Sequence, residues 1–162
     1  MSRRRVVTRE SELAAPASVV WRHATTMSEI NRELSPLMRM TYPAEAAGQS
    51  LSSASVPLGE PLFVSWVLLF GLIPIERMSL RIVELGPEQR FVEESRLTLL
   101  SYWRHERSVG PAGSGSGCLV RDRLTLEPRL PGVSGLIAAF VGILFRHRHR
   151  RLKRLFGVAS RP

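Results

Sequence analysis

Residues 133–156 carry the one long helical pattern in this sequence, and it follows a series of strand-like segments. Leu136, Ile137, Phe140, Val141, Leu144, Arg148, Leu152 and Leu155 fall on or near one face at helical spacing, and the first half of the segment is almost wholly apolar. An antiparallel sheet with one apolar face must cover that face. No other segment is large enough to lie across it.

The residues ahead of this helix read as a meander. Alternation over 6–13 gives a first strand leading through Pro16 into helical spacing at 17–34. Thr25, Thr26 and Ser28 interrupt that run, so two short helices are expected, with Ser28 capping the second and Pro36 stopping it. A short strand over 37–42 closes at Pro43, and the Ala-, Ser- and Gly-rich stretch 44–60 reads as a loop with room for one helical turn. Strands follow over 62–70, 76–85, 90–99, 101–109 and 119–127, with a turn at Gly86 and Pro87 and a flexible link over 110–117. Short links impose antiparallel pairing. The expected fold is α+β, a helix grip: a strongly curved antiparallel sheet of about seven strands around a long C-terminal helix, with two short helices after the first strand. The hollow between such a sheet and its helix can be a cavity.

Composition fits one globular domain over residues 1–162, since the chain is 44% hydrophobic and long enough to close a core. The single Cys118 excludes an internal disulfide and a multi-cysteine zinc site, and with no secretory pattern a cytoplasmic location is expected. The apolar run 61–75 is broken by Ser65, Gly71 and Pro74 and is shorter than the roughly 20 residues of a membrane span. Arg3, Arg4 and Arg5 lead into Thr8, Arg9, Glu10 and Glu12, which reads as a solvated end. Net charge is +9, and the tail carries it: from Pro128 onward there are 8 cationic residues and no acidic one.

Several blocks resemble the polyketide cyclase and lipid-transfer superfamily, called SRPBCC or START-like, with a birch-pollen-allergen-type fold. They are AAPASVVWRHATTMSEINRELSPLMRMTYP, PLFVSWVLLFGLIPIE, FVEESRLTLLSYWRHERSV, CLVRDRLTLEPRLPG and LFRHRHRRLKRLFG. Their order is most similar to small bacterial members. The resemblance implies a hydrophobic cavity and activities that range from carrying lipids or hormones to cyclising or dehydrating polyketides. It carries no universal catalytic motif, and fold alone does not set function.

Strand parity selects the candidate site. Asp122 shares a face with Val120, Leu124 and Leu126; His105 and Arg107 share one with Trp103 and Val109; Glu93 and Ser95 share one with Phe91 and Leu97. A bulge would reverse these assignments beyond it. The favoured reading is a ligand site with walls from Trp103, Leu124, Leu126, Phe140, Val141 and Leu144, in which His105, Arg107 and Asp122 orient a polar group on a small hydrophobic or lipid-like molecule. The enzymatic alternative is a cyclase, aromatase or dehydratase in which His105 moves a proton, Glu93 or Asp122 orients its ring and Arg107 stabilises negative charge. The same four residues also fit a purely structural ion cluster. Trp66, Leu68 and Phe70 alternate with Val67 and Leu69, so both faces of that strand are apolar, and core packing is the favoured explanation for most of them.

No cofactor or metal is expected. His147 and His149 stand about 200° apart on a helix and do not converge on one ion. His23 reads as a hydrogen-bonded surface or partly buried histidine, and Cys118 as a passively packed residue. Arg146, Arg148, Arg150, Arg151, Lys153 and Arg154 put six fixed cations in nine residues, suited to an anionic membrane surface or an acidic protein. Nucleic acid is the weaker partner, because no reading motif accompanies the charge. Oligomeric state is left open.

Overall fold

The computed structural model describes residues 4–113 and 115–159; Arg3, part of the basic opening, and Ser114, inside the 110–117 link, lie outside the described residues. The elements in order are β1 (Arg5–Leu13), α1 (Ala17–Thr25), α2 (Met27–Leu34), β2 (Met38–Met40), a 3-10 turn (Ala44–Ala46), β3 (Pro61–Leu69), β4 (Ile73–Gly86), β5 (Arg90–Glu93), β6 (Arg96–Leu97), β7 (Leu100–Pro111), β8 (Cys118–Pro128) and α3 (Ser134–Phe156). The sheet runs β1-β8-β7-β5-β4-β3-β2, all antiparallel, with β6 paired to β4. It curves around α3, with the two short helices after β1: an α+β helix grip.

Local chemistry explains most boundaries. Thr26 is extended at φ −97°, ψ 126°, and bridges to Ser50, while the Thr25 and Thr26 hydroxyls donate back to the Trp21 and Arg22 carbonyls at 2.9 and 2.7 Å. Those side-chain bonds split the helical run. Thr26, not Ser28, occupies the cap position of α2, and it makes no side-chain cap bond. Asn31 on α2 clamps the edge strand β2, its amide donating to the Met40 carbonyl and its carbonyl accepting from the Met40 N–H, both at 2.8 Å. Gly117, at φ +82°, ends the approach to β8; a Cβ there would lie 1.9 Å from the Leu13 carbonyl oxygen, so only glycine fits.

Segment 90–99 is two strands rather than one. β5 pairs with β4 and β7, the chain then breaks at Glu94 and Ser95, and β6 returns to Met78 and Ser79 of β4. On β3, Ser65 and Val67 are buried while Val64 and Trp66 are each 48% exposed, so the Trp66 ring lies outside the core. The main core gathers Met27, Ile30, Leu34, Leu80, Leu124, Leu126, Val141 and Phe145 beneath α3; a second cluster joins Leu13, Val20, Val109, Val120 and Leu152 at the other end.

Candidate functional site

Between the inner face of the sheet and α3 lies a cavity of about 230 Å³. Met27, Ile30 and Leu34 from α2, Met78, Leu80 and Ile82 from β4, and Ile137, Phe140, Val141, Leu144 and Phe145 from α3 make its apolar walls. Phe140 and Leu99 line it while keeping 40% and 48% of their surface exposed, which puts them at its mouth. Four charged or titratable side chains reach the wall: Glu76, Glu93, His105 and Arg148. Glu76 is consumed locally, accepting from the Thr98 and Leu99 N–H groups at 2.7 and 2.9 Å.

Of the residues expected to line the site, Trp103, His105, Phe140, Val141 and Leu144 do so. Arg107, Asp122, Leu124 and Leu126 are fully buried outside the lining. They face inward as parity predicted, but Glu33 of α2 and His149 of α3 bind over Arg107 and Asp122, and Leu124 and Leu126 are packed into the main core with Val141, Leu144 and Phe145.

Beneath the cavity floor these groups form a continuous ion network. Arg107 binds Asp122 through Nε and Nη2 at 2.7 and 2.8 Å, and Glu33 through Nη1 at 3.1 and 3.2 Å. Arg148 reaches Glu33 Oε2 with Nε at 3.0 Å and Nη2 at 2.8 Å. Asp122 also meets His105 Nε2 at 2.7 Å and His149 Nε2 at 2.8 Å, and Ser11 Oγ lies 2.8 Å from His149 Nδ1. His23 stands 3.0 Å from Glu29 and 3.4 Å from Glu33. Toward the cavity, His105 Nδ1 is 3.5 Å from Glu93 Oε2, while Glu93 Oε1 accepts from Ser95 Oγ at 2.5 Å and Trp103 Nε1 at 3.1 Å. The His105 ring is fixed edge-on between Phe91 and Phe145.

The electrostatics follow from that arrangement. Burial alone would raise the Asp122 carboxyl, but the Arg107 charge and the bonds from Arg107, His105 and His149 hold it well below the ordinary 3.8. Burial likewise opposes the Glu33 charge, and Arg107 with Arg148 outweighs it. Asp122 is therefore an ionised, acceptor-only group, so His105 and His149 each present an Nε2–H to it. The Arg107 guanidinium, which burial alone would lower, is raised by its two carboxylates. Arg148 is lowered by burial and by Arg107. Burial lowers His23 below its ordinary 6.5 despite the two glutamates, and pushes the Cys118 thiol up.

The basic run divides. Arg146, Arg150, Lys153 and Arg154 are exposed, and half-buried Arg151 donates to the Arg32 carbonyl at 3.3 Å. Arg148 is a correction: at 6% exposure it belongs to the ion network and the cavity wall, not to an anion-facing surface, because it sits four residues from both Leu144 and Leu152 on the buried face of α3. Glu33, His149, His23 and Ser11 were not among the inward candidates. Among the described residues no cluster of His, Cys, Asp or Glu is placed to hold a metal, and no helix is long and apolar enough to cross a membrane.

A family model described as a domain of unknown function, DUF8410, matches residues 11–156. The chain belongs to the DUF8410 family. No curated protein matches it. Solved structures do: a protein from Chromobacterium violaceum is 14% identical at TM-score 0.68, covering 95% of this chain and 99% of that one. A START superfamily protein from Mycobacterium smegmatis is 12% identical at TM-score 0.60, covering 93% and 96%. Norcoclaurine synthase from Thalictrum flavum, in complex with dopamine and hydroxybenzaldehyde, is 11% identical at TM-score 0.62, covering 94% and 86%. At these identities the likeness is one of fold: the curved antiparallel sheet and long C-terminal helix of this DUF8410 chain match the helix-grip fold.

Proposed function

We propose that the protein binds a small, largely apolar molecule in the cavity between its sheet and α3, as a carrier or receptor rather than a catalyst. The observation that supports this is the cavity itself, about 230 Å³ of space walled almost entirely by Leu, Ile, Val, Met and aromatic side chains. Interiors otherwise pack at crystal-like density, so an apolar space of this size favours an occupant. Burying a ligand there contributes about 25 cal/mol per Å² of apolar surface before ordering costs. Trp103, Phe140, Val141 and Leu144 serve as walls; Glu93 and His105 orient a polar group, and Arg107 and Asp122 act through His105 as positioning residues. Native mass spectrometry of purified protein, followed by solvent extraction, tests this: a retained small molecule is expected, lost in a folded Phe140→Arg variant. Unchanged retention in that variant contradicts the assignment.

A second reading has its own observation. His105 lies in the cavity wall with Nε2 held by Asp122 and Nδ1 toward Glu93, an arrangement suited to moving a proton on a hydrophobic carbonyl substrate, as in a cyclase, aromatase or dehydratase. His105→Ala should then lower turnover of an extracted substrate by about a hundredfold or more. Full turnover in a folded variant rules out this role.

A further inference from the structure

We infer that Arg148 Nη1 recognises an uncharged oxygen acceptor, a hydroxyl or carbonyl, on the molecule that enters the cavity. This rests on the ligand-binding reading and names the ligand class for it. Arg148 is 6% exposed and lines the cavity. Its Nε and Nη2 are both committed to Glu33 Oε2. Nη1 has no partner among the described residues, yet it is not among the polar atoms sealed off without one, so it borders open space. The guanidinium lies 4.8 Å over the Phe145 ring, and His105 approaches the same ring at 5.1 Å; all three line the cavity. A guanidinium N–H in an apolar wall forfeits a hydrogen bond that it makes in water, and a ligand oxygen restores it.

The local charge argues for a neutral head group. The Glu33 and Asp122 carboxylates are matched by Arg107 and Arg148, and Glu93 in the same wall meets Ser95, Trp103 and His105. A ligand carboxylate would add negative charge to the wall that holds Glu93 without bringing a cation, and a ligand ammonium would confront Arg148. A hydroxyl or carbonyl incurs neither cost. Size narrows the class further. A cavity of about 150 Å³ accommodates benzene, so this one suits a bicyclic ring or a medium-length chain, not a two-chain lipid.

Calorimetric titration of naphthalene, 2-naphthol and 2-naphthoate into the wild type, Arg148→Met and Arg148→Lys tests this, with circular dichroism checking the fold of each variant. The expected order in the wild type is 2-naphthol tightest. Its affinity should fall about tenfold or more in R148M, the weight of one hydrogen bond to a charged group, while naphthalene changes little. R148K keeps a cation beside Glu33 but lacks the planar fork, so it should also lose the preference for 2-naphthol; it carries the comparison if R148M does not fold. Naphthalene binding with no preference for 2-naphthol, a preference unchanged in a folded variant, or 2-naphthoate binding tightest overturns the Arg148 assignment and leaves the cavity reading standing. Binding of no probe at all to folded wild type overturns the cavity reading itself.

Discussion

Asp122→Asn is the sharpest test of the buried network. Asp122 is fully buried, and its two oxygens accept four bonds of 2.7–2.8 Å, two from Arg107 and one each from His105 and His149. Asparagine keeps the volume but removes the charge, and its NH₂ must face N–H donors on one side or the other. Arg107 is left with Glu33 alone. Removing one partner of a buried ion pair costs about 3–5 kcal/mol. For a chain of this size each kcal/mol moves Tm by about 2–4 °C, so Tm should fall by roughly 6–20 °C. In urea, with a slope of about 2 kcal/mol per M, the midpoint should fall by roughly 2 M. A loss below about 1 kcal/mol, with the slope unchanged, would refute the view that this network is a principal bond between α2, α3 and the sheet.

Two further perturbations have signs fixed by the same geometry. Folding lowers the proton affinity of His23, so its contribution is complete above 6.5 and shrinks as pH falls toward its lower folded value; Glu33 and Asp122 contribute fully above 4.5 and 3.8 and are lost only as pH falls through their depressed folded values. Urea midpoints should therefore decline in two steps on acidification, and His23→Gln should flatten the first; an unaltered first step in the variant would assign it elsewhere. Gly117→Ala forces a Cβ to within 1.9 Å of the Leu13 carbonyl oxygen at φ +82°, so β1 and β8 must part locally. Its cost should reach about 2 kcal/mol or more in thermal melts, and a wild-type melt would contradict the close approach.

Much of the sheet was legible because alternation is a strong signal where one face is buried. His105, Arg107 and Val109 on β7, and Val120, Asp122, Leu124 and Leu126 on β8, are all buried as their parity predicts. A bulge between Leu100 and Tyr102 shifts the register ahead of Trp103 and leaves those assignments intact. Parity does not say what lies across the interior, so Glu33 and His23 from the short helices and Ser11 from β1 went unread as partners. The Arg148 signal was present at i,i+4 from Leu144 and Leu152, but its place among five other cations grouped it with the anion-facing run. Segment 90–99 looked continuous because Glu93, Ser95 and Leu97 keep alternating; the switch of β6 onto β4 is a tertiary pairing that no local pattern records.

The proposed carrier role requires that the space under α3 accept an apolar guest. Ile137 lines that space from the first half of the helix and is only half-buried, so Ile137→Trp can fill it without opening the core. Titrating 2-naphthol into both proteins measures the claim most directly. One saturable site per wild-type chain, abolished in the folded I137W variant, is the predicted result; equal binding to both proteins, or none to the wild type, would contradict it.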